Sequence, residues 1–347
     1  MIEIEVIRSE ERWANLAEPW NKLLENSITD VPFLRHEFLS SWWQHRGGGE
    51  WGFADRPAEE LYILAGREPA GELIGALPLF LSKNHAGKPS LVLLGSLEIS
   101  DFLDVLVLPE YAGAFFESAL AHLTGPDSPE WATLELYNIL EDSPSLEGLA
   151  GIADRYGLSW VQEKLQPAPF IALPGDFEAY LEMLDGRYRR ELVRKMRNAQ
   201  RYFIPVQVER VEQLDDLAPA MEDFFAMMRL EPEKARFLTA PMEAQMHALV
   251  RAAAEQGWLD LRFLLVGRER AAGYLNFIHG NRVWVYNSAR TDKFSSLSPG
   301  IALIGLLVQE AIEEGYQAFD LMRGDEDYKY HLGGQDRWVV KATLTRT

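Results

Sequence analysis

Apolar and polar residues alternate with the two-residue period of β-strands at several places in the second half of the chain. This pattern predicts strands at 204–209, 261–266, 271–278 and 283–288, and turns at 268–270 and at Gly280-Asn281 join the last three strands. Helical spacing predicts helices at 213–229 and 241–256. The second half is therefore predicted to carry helices and a three-stranded antiparallel meander.

The sequence Ser298-Pro299-Gly300 predicts the start of a further helix, because serine is favoured as an N-cap and proline at the first helical position. An apolar stripe with helical spacing follows, and Gly315 ends the helix. A strand at 318–321, a short helix between Asp325 and Gly333-Gly334, and a strand at 338–344 complete the pattern.

The first half of the chain gives nearly the same order of elements. Strands are predicted at 2–7, 61–65, 73–80, 91–94, 105–108, 133–137, 159–163 and 170–173, and helices at 9–25, 36–45, 109–123 and 144–156. The residues of the two halves are not alike, so the repeat is one of structure. We predict an α/β chain of two tandem modules, 1–175 and 204–347, separated by a basic helical insert at 176–203 that Pro174-Gly175 introduces.

Composition narrows the class of protein. A chain of 347 residues favours two domains, and the lack of cysteine excludes disulfides, thiolate metal sites and cysteine nucleophiles. The start of the chain lacks the pattern of a signal peptide, and the longest apolar run, Ile301–Val308, is far shorter than the roughly 20 residues that span a bilayer. We expect a cytoplasmic protein without a membrane span.

The charge is strongly negative overall and positive in one place. The net charge of -19 should repel duplex DNA, yet basic residues crowd the segment Arg187–Arg201, where Glu191 is the only acid. Such a run is typical of a solvated helix face, and equally of a patch that receives tRNA or another anionic ligand. Both interpretations stay open at this stage.

Three stretches of sequence carry a family resemblance. Residues 286–334 read Y-N-S-A-R-T-D-K-F, then S-P-G-I-A-L, then E-E-G-Y-Q-A-F-D-L-M-R-G-D-E-D-Y-K-Y-H-L-G-G, and Gly186–Gln200 and Ser100–Asp104 add to the likeness. They resemble the CelD-like (cellulose-biosynthesis-associated) GNAT acetyltransferases, a group related to the FemAB-type peptidyltransferases. The order of elements is also that of the GNAT fold. The resemblance implies two tandem GNAT-like acyl-CoA N-acyltransferase modules with a mixed sheet in each.

The resemblance also implies an activity. It is the transfer of an acyl group, from acetyl-CoA or another acyl-CoA as co-substrate, to an amine or hydroxyl of a small-molecule, saccharide or peptide acceptor in envelope or exopolysaccharide metabolism. In FemAB-type relatives the donor is aminoacyl-tRNA. The usual glycine-rich pyrophosphate loop is missing, because Ser295–Gly300 stands in its place with one glycine. Aminoacyl transfer and a non-enzymatic scaffold therefore stay open as alternatives.

The predicted helix start is a candidate donor site. The free N–H groups at the helix start formed by Ser298, Pro299 and Gly300, together with the helix dipole, favour a phosphate, and Gly300 permits its close approach. Arg290 or Lys293 is a candidate for neutralising the charge of that phosphate. The alternative is that Ser-Pro-Gly is only a good helix start.

The segment 323–329 is the candidate catalytic centre, since it follows a strand whose end faces the ligand side of an α/β sheet. The resemblance implies that Tyr328 is the general acid for the departing thiolate, and Lys329 is a candidate for binding phosphate or the oxyanion. Asp320 and Asp325 are predicted to orient Arg323 or to bind the acceptor amine. The alternative is a solvated surface helix with Tyr328 packed on the core.

Three further residues are candidates for contacts to the acceptor. Asp101 and Asp104 are predicted to bind acceptor hydroxyls or an amine, or else to be turn residues, in a first module that is degenerate and shapes the acceptor side. Tyr286 is predicted to line the cleft or to belong to the core. No set of histidines and carboxylates has the spacing of a metal site, and the serine-nucleophile motif is missing. Direct, metal-independent transfer is therefore expected.

Overall fold

The computed structural model describes residues 2–45, 60–84, 86–96 and 99–346. Contacts within the chain divide it into two compact units. Unit 1 comprises Met1–Gln166 and Trp338–Thr347, and unit 2 comprises Pro167–Arg337.

The first 167 residues contribute nine described strands and five described α-helices. The strands are β1 (Glu3–Ile7), β2 (Glu60–Leu61), β3 (Ile63–Arg67), β4 (Leu73–Leu77), β5 (Leu79–Lys83), β6 (Pro89–Leu93), β7 (Leu106–Val107), β8 (Thr133–Leu140) and β9 (Leu158–Pro167). The helices are α1 (Glu10–Ala14), α2 (Ala17–Leu24), α3 (His36–His45), α4 (Ala112–Thr124) and α5 (Pro144–Ala153). The single helix predicted at 9–25 is wrong, because Asn15 and Leu16 interrupt it.

The remaining elements belong to the second half of the chain. The strands are β10 (Phe170–Ala172), β11 (Val206–Arg210), β12 (Leu259–Val266), β13 (Glu269–His279), β14 (Arg282–Arg290), β15 (Ala318–Asp320) and β16 (Trp338–Arg346). The helices are α6 (Phe177–Met183), α7 (Gly186–Gln200), α8 (Leu214–Met228), α9 (Pro232–Phe237), α10 (Ala240–Glu255), α11 (Pro299–Glu313) and α12 (Asp327–His331).

Unit 1 holds two sheets in its described residues. One has the strand order β1-β3-β4-β7, and the other has the order β2-β5-β6-β8-β16-β9. Strand β16 pairs antiparallel with β8, so that Leu344 lies opposite Leu134. This last strand was predicted to belong to the second module, but it pairs with β8 and belongs to unit 1. The alternation of apolar residues predicts a strand without naming its partner, which explains the difference.

Unit 2 holds one sheet, with the order β10-β15-β14-β13-β12-β11. The strands β12, β13 and β14 form the antiparallel meander that the sequence predicted. Strand β15 pairs parallel with β14, after the crossover through α11.

The basic segment predicted as an insert lies within unit 2. It forms α6 and α7, as its helical pattern predicted. Helix α7 buries Leu192 and Met196 against α11 at Gly305, where an added Cβ would come within 2.8 Å of Leu192 and 3.0 Å of Met196. Glycine at 305 thus permits the two helices to approach closely. The segment is part of the packed unit, because its apolar stripe is buried there.

Candidate active site

Strands β14 and β15 separate at one end of their pairing. They run parallel at Arg282–Trp284 and Ala318–Asp320, after which β15 ends and β14 continues to Arg290. In the described part of unit 2, residues 285–290 therefore pair only with β13. The register with β13 shifts between Leu275 and Asn276, and the resulting bulge in β14 lies at Tyr286. We call residues 285–290 of β14 the open edge.

Helix α12 brings Tyr328 to a cavity. The cavity has a volume of about 50 Å³ and is lined by residues of α7, α11 and the α12 region: Tyr188, Glu191, Leu192, Lys195, Ile301, Tyr328, His331 and Leu332. Burial, followed by the charges of Glu326 and Glu231, raises the pKa of Tyr328. The phenol is therefore protonated at neutral pH, as a general acid must be before it acts.

Tyr328 also lies near the open edge, as its effect on another tyrosine indicates. Tyr274 of β13 is buried and pairs with Ser288 of the open edge. Burial raises the pKa of Tyr274 well above its usual value, and Tyr328 raises it further, while Arg290 lowers it. Tyr328, Arg290 and the open edge are thus brought into one electrostatic neighbourhood. The roles of Tyr328 and Arg290 stay predictions.

Two further residues, Glu231 and Lys234, which no sequence pattern singled out, belong to the electrostatic neighbourhood of the open edge. Lys234 of α9 donates a hydrogen bond to the carbonyl oxygen of Ser288 on the open edge. Its ammonium lies 3.7 Å from the carboxylate of Glu231, which precedes α9. In the sequence, Glu231 and Lys234 have the spacing of an ordinary surface ion pair, so no local signal distinguished them.

The start of α11 is accessible. Pro299 occupies the first helical position, as predicted, and a Cβ added at Gly300 would meet no heavy atom within 4 Å. Ser298 differs from its predicted role, because it adopts a left-handed conformation (φ 48°) and its side chain forms no capping hydrogen bond. The sequence therefore predicted the position of the helix start but not the conformation of its N-cap.

Lys329 has a different environment from the one its predicted role requires. Its ammonium is buried and donates to the carbonyl oxygens of Met322, Arg323 and Gly324, at 3.1, 2.6 and 3.4 Å. The carboxylate of Glu326 lies 2.9 Å away. These contacts occupy the donors that a bound phosphate or oxyanion would need. Lys329 therefore stabilises the loop before α12.

The other predicted residues of the second module lie around this loop and the open edge. Arg323 is half-buried in the loop, and Asp325 is exposed two residues later. Tyr286, at the bulge of β14, is half-buried and packs against Phe277 with 5.2 Å between ring centroids. Asp320 is fully buried and accepts hydrogen bonds from the backbone of Met322 and from Arg337. It thus fixes the end of β15.

Helix α7 carries a face of arginines beside a cleft of about 590 Å³. We call Arg189, Arg190, Arg194, Arg197 and Arg201 the arginine face. Glu178 and Glu182 of α6 also line the cleft, yet no described carboxylate forms an ion pair with any of the five arginines. Elsewhere in unit 2, Arg262 and Arg270 each bind two acidic residues. Glu191 of the same helix interacts electrostatically with Arg194, so the positive charge of the arginine face is only partly compensated.

The two predicted acidic residues of unit 1 have separate environments. Asp104 is fully buried and accepts hydrogen bonds from the hydroxyls of Thr29, Ser143 and Ser145, which we call the hydroxyl cage. Burial raises the pKa of Asp104, and the cage opposes this effect. Asp101 is half-buried in the preceding loop. The hydroxyl cage gives Asp104 internal partners in the place of the predicted acceptor.

The described residues contain neither a metal-binding cluster nor a membrane-spanning helix. No group of three or more histidine, aspartate or glutamate side chains there has an arrangement that holds a metal ion. None of the helices in residues 2–45, 60–84, 86–96 and 99–346 combines the length and the apolar character needed to cross a membrane.

A family model matches most of unit 2. The model described as "Acetyltransferase (GNAT) domain" matches residues 186–330. We refer to this stretch, by that match, as the GNAT domain. It contains α7, the open edge, the start of α11 and Tyr328, so the site described above lies within the GNAT domain. No curated protein matches the chain by sequence.

Solved structures extend the likeness to the whole chain. FemX has a TM-score of 0.64 at 13% identity and covers 98% of this chain and 96% of its own. A conserved protein of unknown function from Bacteroides thetaiotaomicron has a TM-score of 0.57 at 11% identity, covering 99% and 100%. L-PGS from Bacillus licheniformis has a TM-score of 0.52 at 12% identity, covering 83% and 84%. At these identities the likeness shows the fold, and it confirms the predicted α/β class with GNAT-like modules.

Proposed function

We propose that the GNAT domain transfers an acyl group from acyl-CoA to an amine or hydroxyl acceptor. The observation that carries the proposal is the open edge of β14 with Tyr328 in its electrostatic neighbourhood. A strand that continues past its neighbour can bind a ligand along its edge, and at Ser288 the carbonyl and the amide are engaged by Lys234 and Asn287. The acyl carbonyl of the donor occupies this gap, and the acceptor attacks it there.

Tyr328 completes the transfer by giving its proton to the leaving group. The phenol is protonated at neutral pH, as a proton donor must be when the carbon–sulfur bond breaks. The bond from the acceptor nitrogen or oxygen to the acyl carbon forms in the same reaction. The phenolate then recovers a proton, and Tyr328 returns to its starting state.

The start of α11 is the proposed binding site for the phosphates of CoA. Its N–H groups and dipole favour an anion, and the open space over Gly300 permits close approach. Arg290, exposed at the end of the open edge, is the predicted basic residue for these phosphates. Gly300 is the one glycine in Ser295–Gly300, which stands in the place of the usual glycine-rich loop.

A paired substitution tests this donor site. Gly300 is the second residue of α11 and Gly113 is the second residue of α4, and an added Cβ meets no heavy atom within 4 Å at either position. At 100 times its Kd, an acyl-CoA should stabilise the wild-type protein by about 2.7 kcal/mol in thermal unfolding. We expect Gly300→Ala to reduce this stabilisation and Gly113→Ala to preserve it. If no CoA species stabilises the wild type, the CoA donor is rejected.

A second candidate, transfer of an aminoacyl group from tRNA, is favoured by the arginine face. Five arginines lining one cleft are an unusual feature in a chain of net charge -19, and they suit a phosphate backbone. The fold likeness to FemX and to L-PGS is in keeping with this candidate.

Salt dependence separates the two candidates. If tRNA binds the arginine face, its affinity should fall steeply with salt, and replacing Arg190, Arg194 and Arg197 by glutamine should lower the slope of the logarithmic salt plot by roughly two. Acyl-CoA binding should change little in the same variant. If the variant binds tRNA as the wild type does, the arginine face is a solvated surface and the second candidate is rejected.

The acceptor and the setting of the reaction follow from the family resemblance. The sequence likeness to CelD-like proteins supports an acceptor from envelope or exopolysaccharide metabolism, either a saccharide or a peptide carrying an amine. A cytoplasmic setting suits both proposed donors, because acyl-CoA and aminoacyl-tRNA are cytoplasmic. Incubating the protein with either donor and a panel of amino sugars and peptides, followed by mass spectrometry, tests the acceptor class directly.

A further inference from the structure

Lys234 has an environment that is uncommon for a lysine on a short helix. Its side chain is only 27% exposed, although the sequence around α9 is rich in charged residues. The ammonium reaches the open edge and donates to the carbonyl oxygen of Ser288. The group therefore lies at the gap between β14 and β15, where the proposed function has the donor's acyl carbon.

The charges around Lys234 come from three parts of the GNAT domain. Glu231, directly before α9, lies 3.7 Å away, and Glu326 approaches from the loop before α12. Arg290 approaches from the open edge. Burial and then Arg290 lower the pKa of Lys234, and the two carboxylates oppose them without cancelling the effect. A larger fraction of this amine is therefore neutral than of a lysine in water.

Lys234 and Tyr328 lie within electrostatic range of the same two carboxylates. Glu231 and Glu326 act on the pKa of both groups. Tyr274 pairs with Ser288, the residue that binds Lys234, and it is influenced by Tyr328. One side of the open edge thus carries a candidate proton acceptor and a candidate proton donor.

We propose that Lys234 is the general base that removes the proton from the attacking amine of the acceptor. The proposal rests on the proposed acyl transfer and holds for either donor. A neutral Lys234 uses one N–H to bind Ser288 and keeps its lone pair for the acceptor. The reaction needs this step, since an ammonium group has no lone pair with which to attack a carbonyl.

The proton balance closes without another reactant. The acceptor nitrogen bonds to the acyl carbon, and its proton passes to Nζ of Lys234. The bond from the acyl carbon to the leaving sulfur or oxygen breaks, and that atom takes the proton of Tyr328. The ammonium of Lys234 then returns a proton to the Tyr328 phenolate through solvent. Each turnover thus restores both side chains and releases the acylated acceptor and the deacylated donor.

Two substitutions separate a base from a positioning charge. Arginine at 234 keeps a donor for Ser288 but is always protonated, whereas alanine removes the group. We expect both Lys234→Ala and Lys234→Arg to lose about 100- to 10,000-fold in kcat/KM, with the acid limb of the pH profile missing. Added methylamine should restore part of the rate of Lys234→Ala. Full activity in Lys234→Arg would overturn the proposal, because a permanent cation cannot accept a proton.

Lys22 supplies the matched control. It is a helical lysine paired with a carboxylate, Glu72, at 3.2 Å, but its side chain is 73% exposed. We expect Lys22→Ala to transfer at the wild-type rate. Thermal unfolding of all variants checks that the losses come from chemistry and not from unfolding, and amine rescue keeps the test valid if Lys234→Ala is less stable.

A measurement on the free protein separates failure of this inference from failure of the proposed function. Acetic anhydride acylates only neutral amines, so the pH dependence of labelling, followed by peptide mass spectrometry, reports the titration of each lysine. Lys234 should label with a midpoint below that of Lys22, whether or not a donor has been found. Equal midpoints would reject Lys234 as the base. If the midpoint is lowered but the protein transfers an acyl group from neither donor, the proposed function is rejected. The lowered titration midpoint of Lys234 then stands by itself.

Discussion

The hydroxyl cage of unit 1 and the open edge of unit 2 each hold an ionisable group, and the two groups differ in how many hydrogen-bond partners the protein gives them. In the cage, Asp104 accepts hydrogen bonds from three hydroxyls and from the backbone of Val105. At the open edge, Lys234 has one carbonyl partner and a carboxylate 3.7 Å away. Both pKa values are shifted by burial.

The difference shows why a shifted pKa alone does not identify a site. A buried polar group whose hydrogen-bonding capacity is used internally stabilises the fold and has nothing left for a ligand. A group at an unpaired strand edge keeps capacity for a substrate. Tyr328 and Lys234 meet the second condition, so shifted pKa and open geometry coincide in the GNAT domain.

The largest expected effect tests the open-edge side of this comparison. Tyr328→Phe removes the proposed acid but keeps the ring, so single-turnover transfer should slow by about 100- to 10,000-fold. Tyr330, two residues later, is 37% exposed and donates to Asp336 at 3.0 Å, so Tyr330→Phe is the control and should transfer normally. Wild-type transfer by Tyr328→Phe would remove Tyr328 from the mechanism.

Lys329 extends the comparison, because it is a buried lysine directly after Tyr328 whose ammonium already has protein partners. Lys329→Met leaves three carbonyls and Glu326 without their cation, and the free energy of unfolding should fall by about 3 kcal/mol. Urea unfolding followed by circular dichroism measures this loss. An unchanged stability with abolished transfer would instead support the phosphate- or oxyanion-binding role that the sequence suggested.

Asp104→Ala tests the closed side. The substitution leaves the hydroxyls of Thr29, Ser143 and Ser145 without their common acceptor, so the free energy of unfolding should fall by about 2 kcal/mol. Transfer by the folded variant should stay normal, with kcat and KM measured well below its melting temperature. A raised KM for the acceptor without a loss of stability would show that Asp104 binds substrate after all.

The smallest effect concerns pH and the same carboxyl. Since burial raises the pKa of Asp104 above its ordinary value of 3.8, the folded state holds this proton to a higher pH than the unfolded state does. The free energy of unfolding should therefore decrease as pH rises between the unfolded and the folded pKa. Asp104→Asn cannot ionise, so its urea midpoint should lack this contribution across the same pH series. Identical slopes in both proteins would contradict the assignment.

Local signals in the sequence predicted several elements around the candidate site correctly. Pro299 begins α11, and the meander of β12, β13 and β14 was read from alternation and turns. Tyr328, indicated by the family resemblance, and Arg290, indicated by its charge, both act on Tyr274. These features depend on the conformational preferences of a few adjacent residues, which are encoded locally.

Other features have no local signal. The left-handed Ser298, the role of Lys329 and the whole contribution of Lys234 depend on what each side chain meets across the fold. A lysine three residues after a glutamate has the same sequence pattern on a solvated helix as at the open edge. Its partner, Ser288, lies 54 residues away in the chain.

The sequence by itself determined the order of helices and strands, the α/β class, the basic character of α7 and the segment that contains Tyr328. Only the tertiary structure decided that β16 pairs with β8, that β14 and β15 separate after Asp320, and which ionisable groups are engaged. Periodicity and turn chemistry act between neighbouring residues, so a sequence reports them directly. Strand partners and the satisfaction of buried polar groups arise from contacts between distant residues, and these exist only once the chain has folded.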